Sequence, residues 1–141
     1  SMQKMNTDSL AVIYLDLDCF KQLNDEYGHQ AGDAALAGFA TLLQASFADG
    51  IIARMGGDEF VVALQGEYTK EEMCQRLDGF MEKMRAFFDM NHEFKNLSVS
   101  IGVLLEKNND GQVDVLLHKS DEAMYTAKKS GKNRYCFYED I

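Results

Sequence analysis

The sequence predicts an α+β domain in which helices pack against a mainly antiparallel sheet of the ferredoxin-like type. Strand-like apolar runs alternate with periodic helical segments along the 141 residues, and two of the runs flank a pair of glycines as in a β-hairpin. The sequence has no proline, low-complexity tract or internal repeat to mark a linker. We therefore expect residues 1–141 to form a single domain, large enough to bury a hydrophobic core.

The first half of the chain is predicted to form a strand, two helices and a hairpin. The apolar run over residues 10–17 stops at Asp16 and Asp18, as expected of a buried strand. Gly28 separates the two helical patterns. The predicted helices span residues 19–27 and about 33–47, and the hairpin strands span residues 51–53 and 60–64.

The second half adds a helix, a strand, a helix and a short strand. Thr69 followed by Glu72 is a capping box that starts an amphipathic helix over residues 69 to about 90. One face of this helix carries the apolar side chains Met73, Leu77, Phe80, Met84 and Phe87. The last three elements are predicted at residues 97–105, 113–129 and 134–138. This order places helices against a mostly antiparallel sheet.

The hairpin turn carries two carboxylates, Asp58 and Glu59, directly after Gly56 and Gly57. Paired glycines can adopt the positive φ angles of a two-residue hairpin turn. Acidic residues in turns are often simply solvated, so the turn alone leaves two alternatives, a solvated turn and a metal or substrate site.

The acids at the end of the first strand indicate where such a site would lie. If that strand lies beside the hairpin, Asp16 and Asp18 face Asp58 and Glu59, and the carboxylates repel one another. A divalent cation would relieve the repulsion, and a set of oxygen ligands favours Mg²⁺ or Mn²⁺ over zinc. Magnesium in turn suggests a phosphate-bearing substrate, because it keeps coordination positions open for substrate oxygens.

Lysines suited to phosphates occur near both ends of the chain. Lys21 follows the first strand by less than one helical turn, and Lys128 and Lys132 belong to a basic cluster around Gly131. For that cluster the alternative is a solvated helix end, where cations suit the helix dipole.

Asn24 and Asp33 are polar residues that flank Gly28 and Gly32. An amide can donate and accept hydrogen bonds, and a carboxylate can accept from the N1 and N2 hydrogens of guanine. Helix capping is the alternative for each residue, and Asp33 is well placed to cap the second helix.

The composition limits the class of partner. A formal net charge of −9 argues against long-range attraction to a nucleic-acid polymer or to an anionic membrane surface. The three cysteines are far apart in sequence and fit reduced thiols in the cytoplasm. Ser1 and Met2 suggest a domain excised from a longer protein.

Four blocks of the sequence together resemble the GGDEF domain of diguanylate cyclases. They stand in the family's order and cover most of the chain: DLDCFKQLNDEYGHQAGDAAL from Asp16, RMGGDEF from Arg54, SVSIGV from Ser98 and SDEAMYTAKKSGKNR from Ser120. The resemblance implies a palm-like fold of the nucleotidyl-cyclase type. It implies an enzyme that condenses two GTP molecules into cyclic di-GMP and two pyrophosphates. It further implies a homodimer in which each domain holds one GTP, and an N-terminal sensory domain in the parent protein.

The resemblance also implies a role for each residue at a matching position. The metal ligands would be Asp16, the Leu17 backbone carbonyl, Asp58 and Glu59. The substrate-binding residues would be Asn24 and Asp33 for guanine, Lys21, Lys128 and Lys132 for phosphates, and Gly56 and Gly57 for close backbone approach. Asp58 would be the catalytic base that takes the ribose 3′-proton, with Glu59 as its competitor.

Three features depart from the family's pattern. The DxLT and NR segment that precedes the first strand in the family is missing ahead of Leu10. Phe47 and Gly50 stand at the positions of the RxxD product-inhibition motif, so we expect no feedback site of that type. Lys132 replaces the usual arginine, and an ammonium group cannot make the bidentate phosphate contact of a guanidinium.

Two other functions remain as alternatives. The domain would bind GTP as a catalytically silent regulatory module if it performed no chemistry, although retention of Asp16, Asp58 and Glu59 together disfavours this. A polymerase-like enzyme acting on nucleic acid is disfavoured by the negative charge and the small size.

Overall fold

In the computed structural model, which describes residues 9–107 and 112–141, five strands form one sheet with helices on both faces. The strands are β1 (Leu10–Asp18), β2 (Ile51–Arg54), β3 (Glu59–Gln65), β4 (Ser98–Glu106) and β5 (Arg134–Phe137). The helices are α1 (Phe20–Tyr27), α2 (His29–Ser46), α3 (Lys70–Asp89) and α4 (Val113–Lys129). The expectations about Ser1, Met2 and the segment ahead of the first strand lie outside the described residues.

The strand order β2-β3-β1-β4-β5 places β1 at the centre of the sheet. Strand β1 pairs antiparallel with β3 and with β4, β2 pairs antiparallel with β3, and β5 alone joins its neighbour β4 in parallel. The predicted α+β class with a mainly antiparallel sheet is therefore confirmed. The first four strands have the ferredoxin-like order, and α4 with β5 extends it.

Alternate residues of β1 pack into two separate cores. The larger core lies against α1, α2 and α3 and contains Ala11, Ile13, Leu15 and Leu17. The smaller core lies against α4 and contains Val12 and Tyr14. Because side chains alternate along a strand, Asp16 and Asp18 continue the α4 side. The alternation therefore places both acids on the face that α4 covers.

Helix α4 lies close to the sheet because β4 carries a glycine where the helix crosses it. A Cβ atom on Gly102 would collide with the Ser120 carbonyl oxygen and the Met124 backbone nitrogen. A larger residue would push α4 outwards, and with it Lys128 near the end of the helix. This close approach fixes the height of Lys128 above the sheet.

The starts of the first two helices differ from the prediction. Helix α2 begins at His29 rather than near Asp33, because Gly28 with φ 93° joins the two helices without a longer loop. Asp33 is therefore inside α2, and its predicted role as the N-cap is wrong. Helix α1 begins at Phe20, because Cys19 has a left-handed backbone with φ 65°.

The long helix α3 follows its prediction at the start and departs from it at the end. Thr69 and Glu72 form both hydrogen bonds of the capping box. Phe88 is the last buried residue of the helix, whereas Phe87 is half-buried and packs over Gly38 of α2. The apolar pattern alone does not decide whether Phe87 or Phe88 faces the core at the end of α3. The packing of α3 against α2 and the sheet decides it.

Candidate active site

The acidic end of β1 lies beside the start of β3. Asp16 is directly opposite Glu59 in the antiparallel register, and the Leu17 backbone N–H donates to the Asp58 carbonyl at 3.3 Å. Residues directly opposite each other present their side chains on the same face. Since the N–H and C=O groups of one strand residue point to the same neighbour, the Leu17 carbonyl also faces the turn. The predicted pairing of the first strand with the hairpin is therefore confirmed, and it places Asp16 beside Glu59 and near the turn residue Asp58.

The turn between β2 and β3 is wider than the sequence predicts. Residues 55–58 connect the two strands, and neither Gly56 nor Gly57 has a positive φ, so the predicted two-residue turn is wrong. The Arg54 guanidinium closes the turn by donating to the Gly56 carbonyl at 3.0 Å and to the Gly57 carbonyl at 2.6 Å. Both glycines are exposed, which leaves their backbone open to a ligand.

Asp16 is a buried carboxylate with an incomplete set of partners. Its residue exposure is 8%, its Oδ2 atom lies 3.2 Å from the Lys128 ammonium, and its Oδ1 atom is buried without a hydrogen-bond partner. Burial, with added repulsion from Asp58, raises the pKa of Asp16 to about 7, although Lys128 opposes the shift. A cation near Oδ1 would relieve both the burial and the repulsion.

Asp18, two residues further along, has all the partners that Asp16 lacks. Its two oxygens accept hydrogen bonds from the Ser98 hydroxyl at 2.6 Å and the Ser100 hydroxyl at 2.7 Å. They also accept from the Lys128 ammonium at 3.0 Å and the Asn133 backbone N–H at 3.2 Å. Burial alone would raise the pKa of Asp18, but the hydrogen bonds from Ser98, Ser100 and Lys128, together with the charge of Lys128, outweigh it and lower the pKa. The expectation that Asp18 joins a cluster of ligand carboxylates is therefore wrong.

Lys128 links the two acids of β1. Its side chain is 24% exposed, so the alternative of a solvated helix end is wrong for this residue. Burial alone would lower the pKa of Lys128, but hydrogen bonds and charges from Asp18 and Asp16 outweigh it and raise the pKa. The ammonium therefore stays charged beside the Oδ2 atom of Asp16.

The other two predicted phosphate ligands are exposed. Lys21 has a side chain that is 86% exposed and forms an ion pair with Asp25 at 3.0 Å, one turn along α1. Lys132 lies in the turn after α4 with a left-handed backbone, φ 64°. Both ammonium groups are accessible to an anion from solvent.

The predicted guanine-binding pair lies at the junction of α1 and α2. The Asn24 Oδ1 atom is buried without a hydrogen-bond partner and lies against Gly32, where any Cβ atom would collide with it. Asp33, which follows Gly32 in the sequence, is exposed. The junction therefore offers one unsatisfied amide oxygen beside one accessible carboxylate.

Within residues 9–107 and 112–141, no three acidic, histidine or cysteine side chains converge into a ready-made metal cage. The Asp18 oxygens accept hydrogen bonds from the two serines, and one Glu59 oxygen accepts a hydrogen bond from the Tyr14 hydroxyl at 3.1 Å. One or two carboxylates are the usual protein contribution to a Mg²⁺ site, and Asp16, Asp58 and the second oxygen of Glu59 lie at this end of β1. The buried, unpartnered Oδ1 of Asp16 fits such an ion.

Comparison with known proteins decides the family. The model of the family described as "Diguanylate cyclase, GGDEF domain" matches residues 1–134. The chain belongs to the GGDEF family. Cyclases of this family are metal-dependent in general, which agrees with the donor set at the end of β1.

The relatives of this GGDEF domain are larger proteins. It is 37% identical over 131 residues to the bifunctional diguanylate cyclase/cyclic di-GMP phosphodiesterase MucR of Pseudomonas aeruginosa. The aligned region covers 92% of this chain and 19% of MucR. It is also 37% identical over 129 residues to diguanylate cyclase DgcS of Shewanella oneidensis. That aligned region covers 90% of this chain and 42% of DgcS. The chain thus spans less than half the length of these relatives.

A solved structure supports the same fold. The active GGEEF domain of a diguanylate cyclase from Vibrio cholerae superposes with a TM-score of 0.77 at 29% identity. The match covers 97% of this chain and 87% of that one. In the described part of the present GGDEF domain, none of the helices combines the length and the apolar character that crossing a membrane requires.

Sequence reasoning missed several residues that shape the site of this GGDEF domain. Tyr14 holds Glu59, Arg54 closes the turn, and Asn133 reaches Asp18 through its backbone. Two of them have a sequence signal. Tyr14 precedes Asp16 by two residues and so shares its face of the strand, and Arg54 ends the strand that leads into the turn.

Proposed function

We propose that this GGDEF domain is a diguanylate cyclase domain that condenses two GTP molecules into cyclic di-GMP and releases two pyrophosphates. The supporting observation is the buried Asp16 carboxylate, which has one unpartnered oxygen, Asp58 as a neighbour and Lys128 alongside. Burying an incompletely paired carboxylate destabilises a fold. Such a carboxylate is therefore a candidate functional group, and a bound cation would complete its pairing.

The triphosphate would be held by three lysines. Lys128 is fixed by Asp16 and Asp18, and supplies a charge that is positioned before the substrate arrives. Lys21 has only an exposed ion pair one helical turn away, worth about 0.3–0.5 kcal/mol, so a phosphate group can displace Asp25. Lys132 would meet a phosphate as a point charge, without bidentate geometry.

Guanine would be recognised at the junction of α1 and α2. Asn24 offers an unsatisfied amide, and Asp33 offers a carboxylate that can accept from the N1 and N2 hydrogens of the base. Because Gly32 has no side chain, the Asn24 amide can pack directly against it at this junction. These groups favour guanine over adenine, which lacks both donors on that edge.

The reacting atoms would lie between the end of β1 and the hairpin turn. A Mg²⁺ or Mn²⁺ ion bound by Asp16, the Leu17 carbonyl, Asp58 and Glu59 would supply charge to the nucleophile and to the leaving pyrophosphate. Asp58 would accept the proton of the ribose 3′-hydroxyl, with Glu59 as the competing base. The exposed backbone of Gly56 and Gly57 would let the nucleotide approach the turn.

Catalysis would need two domains. Each domain would hold one GTP, and attack of each 3′-oxygen on the α-phosphorus of the other GTP requires two sites face to face in a homodimer. We place this reaction in the cytoplasm and propose that an N-terminal sensory domain of the parent protein controls the pairing.

The test is incubation with GTP and Mg²⁺ of the protein fused at its N-terminus to a dimer-forming coiled coil. We expect cyclic di-GMP and pyrophosphate by liquid chromatography and mass spectrometry, with the rate reduced about 10²- to 10³-fold in Asp58→Asn. An exposed carboxylate at the end of α3 gives the matched control, Asp89→Asn, which should keep the wild-type rate. Absence of both products from the forced dimer would refute the proposal.

The second candidate is a GTP-binding regulatory module without turnover. The observation behind it is that the accessible Asp33 carboxylate and the accessible ammonium groups of Lys21 and Lys132 suit GTP binding whether or not chemistry follows. This candidate predicts GTP affinity without either product, and unchanged GTP affinity in Asp58→Asn. The same incubation, combined with calorimetric titration of GTP, separates the two functions.

A further inference from the structure

Tyr14 is a buried hydrogen-bond donor aimed at the candidate site. Its hydroxyl donates to the Glu59 Oε1 atom at 3.1 Å, and the residue is 8% exposed. Among residues 9–107 and 112–141, Tyr14 is the one hydrogen-bond donor to the Glu59 carboxylate.

The sheet register explains this contact. Glu59 is opposite Asp16, and Tyr14 lies two residues before Asp16 on the same face. Such a diagonal neighbour is too far for a short side chain but within reach of an aromatic one. A tyrosine here can therefore reach across to β3, while the alternation keeps its ring in the core under α4.

The ring of Tyr14 is held by its packing, so the hydroxyl is a fixed point. The ring packs with Val12, Val61, Leu116 and Met124 between the sheet and α4. Glu59 has three rotatable bonds and is half-buried. A rigid donor that binds one oxygen of a flexible carboxylate selects one side-chain orientation.

We propose that Tyr14 is a positioning residue that orients Glu59 in the active site. Its hydroxyl occupies one carboxylate oxygen of Glu59 and leaves the other for a cation or a ribose hydroxyl on the side of Asp16. The inference rests on the proposed function of this end of the sheet as a cation and GTP site.

The test compares two tyrosines that both donate to a carboxylate. Tyr14→Phe removes the hydroxyl and keeps the ring in the core. The matched control is Tyr135→Phe, because the Tyr135 hydroxyl donates to Asp78 at 2.7 Å, between β5 and α3. The readout is the Mn²⁺ dissociation constant, measured from the free-ion electron paramagnetic resonance signal with a GTP analogue that carries a methylene bridge between its α- and β-phosphorus atoms.

We expect Tyr14→Phe to weaken Mn²⁺ binding at least threefold and to lower kcat about tenfold, with the KM for GTP changed less than twofold. Tyr135→Phe should leave all three values within twofold of the wild type. In a Glu59→Gln background, adding Tyr14→Phe should weaken Mn²⁺ binding less than 1.5-fold, because the group that Tyr14 positions is already altered. If the role of Tyr14 were purely structural, Tyr14→Phe would instead weaken Mn²⁺ binding equally in the wild type and in Glu59→Gln.

The outcomes separate this inference from the proposed function. Equal effects in the two backgrounds, an unchanged Tyr14→Phe variant, or a wild type that binds no Mn²⁺ would overturn the role of Tyr14. If Mn²⁺ binding shows the expected coupling but the forced dimer makes no cyclic di-GMP, the role of Tyr14 stands and the cyclase proposal fails.

Discussion

Asp16 and Asp18 lie two residues apart on the same face of β1, and both are buried, at 8% and 1% exposure. Their surroundings nevertheless differ in kind. Asp18 accepts four hydrogen bonds from β4, α4 and the turn before β5, whereas Asp16 shares Lys128 and has one oxygen without a partner. A buried carboxylate with every partner in place stabilises its native position, and one that lacks a partner is suited to a ligand.

The pKa values of the two carboxyls express the same difference. Burial tends to raise both, but hydrogen bonds lower the pKa of Asp18, while repulsion from Asp58 helps to raise that of Asp16 to about 7. The two acids therefore serve different purposes. Asp18 binds Lys128 and the Asn133 backbone in the turn after α4, and we propose that this framework presents Asp16 to the substrate.

The largest expected effect is on turnover in Asp16→Asn. The amide keeps the shape of the side chain but removes the charge at the unpartnered oxygen. We therefore expect cyclic di-GMP formation to fall about 10³-fold, which corresponds to about 4 kcal/mol of barrier. Product formation by the forced dimer measures this. The variant should unfold cooperatively at a temperature no lower than the wild type, and a lower unfolding temperature would contradict the contrast with Asp18.

The next effect is on stability in Asp18→Asn. The substitution removes a buried charge that pairs with Lys128 and leaves the serine hydroxyls with fewer acceptors, so we expect a loss of about 3 kcal/mol of unfolding free energy. Urea denaturation at pH 7 measures this. Asp89→Asn is again the control and should stay within about 0.5 kcal/mol of wild type, because its carboxylate is exposed. A loss below about 1 kcal/mol for Asp18→Asn would mean that the network adds little.

The sequence predicts the surroundings of Asp16 better than those of Asp18. Acids at the end of a buried strand and in a nearby hairpin turn indicate that Asp16 and Asp58 meet, because both positions follow from local patterns and from one antiparallel pairing. The partners of Asp18 lie much farther away, with Ser100 separated by 82 residues and Lys128 by 110. Their meeting depends on the register of β4 and on the height of α4, which tertiary packing sets.

The turn and the helix starts were mispredicted for a related reason. Gly56 and Gly57 suggested a tight turn, but the Arg54 side chain supplies hydrogen bonds that stabilise a wider one. At the junction of α1 and α2, Gly28 alone joins the two helices, so Asp33 lies inside the second helix. In both places a single contact or a single backbone angle decides the local structure, and residue preferences average over such details.

The smallest expected effect is on the pH dependence of stability without metal. The native pKa of Asp16 is about 7 and the unfolded value is about 3.9, so between these pH values the native state holds a proton that the unfolded state releases. Stability from this group is complete below about pH 4 and is lost as the pH rises through 7. With EDTA present, we expect wild type to lose about 1–2 kcal/mol more than Asp16→Asn between pH 5 and pH 8. Added Mg²⁺ should restore the stability that the wild type loses at pH 8, because the ion favours the ionised carboxylate. Urea midpoints at the two pH values measure this, and parallel pH profiles for wild type and Asp16→Asn would show that Asp16 is as well satisfied as Asp18.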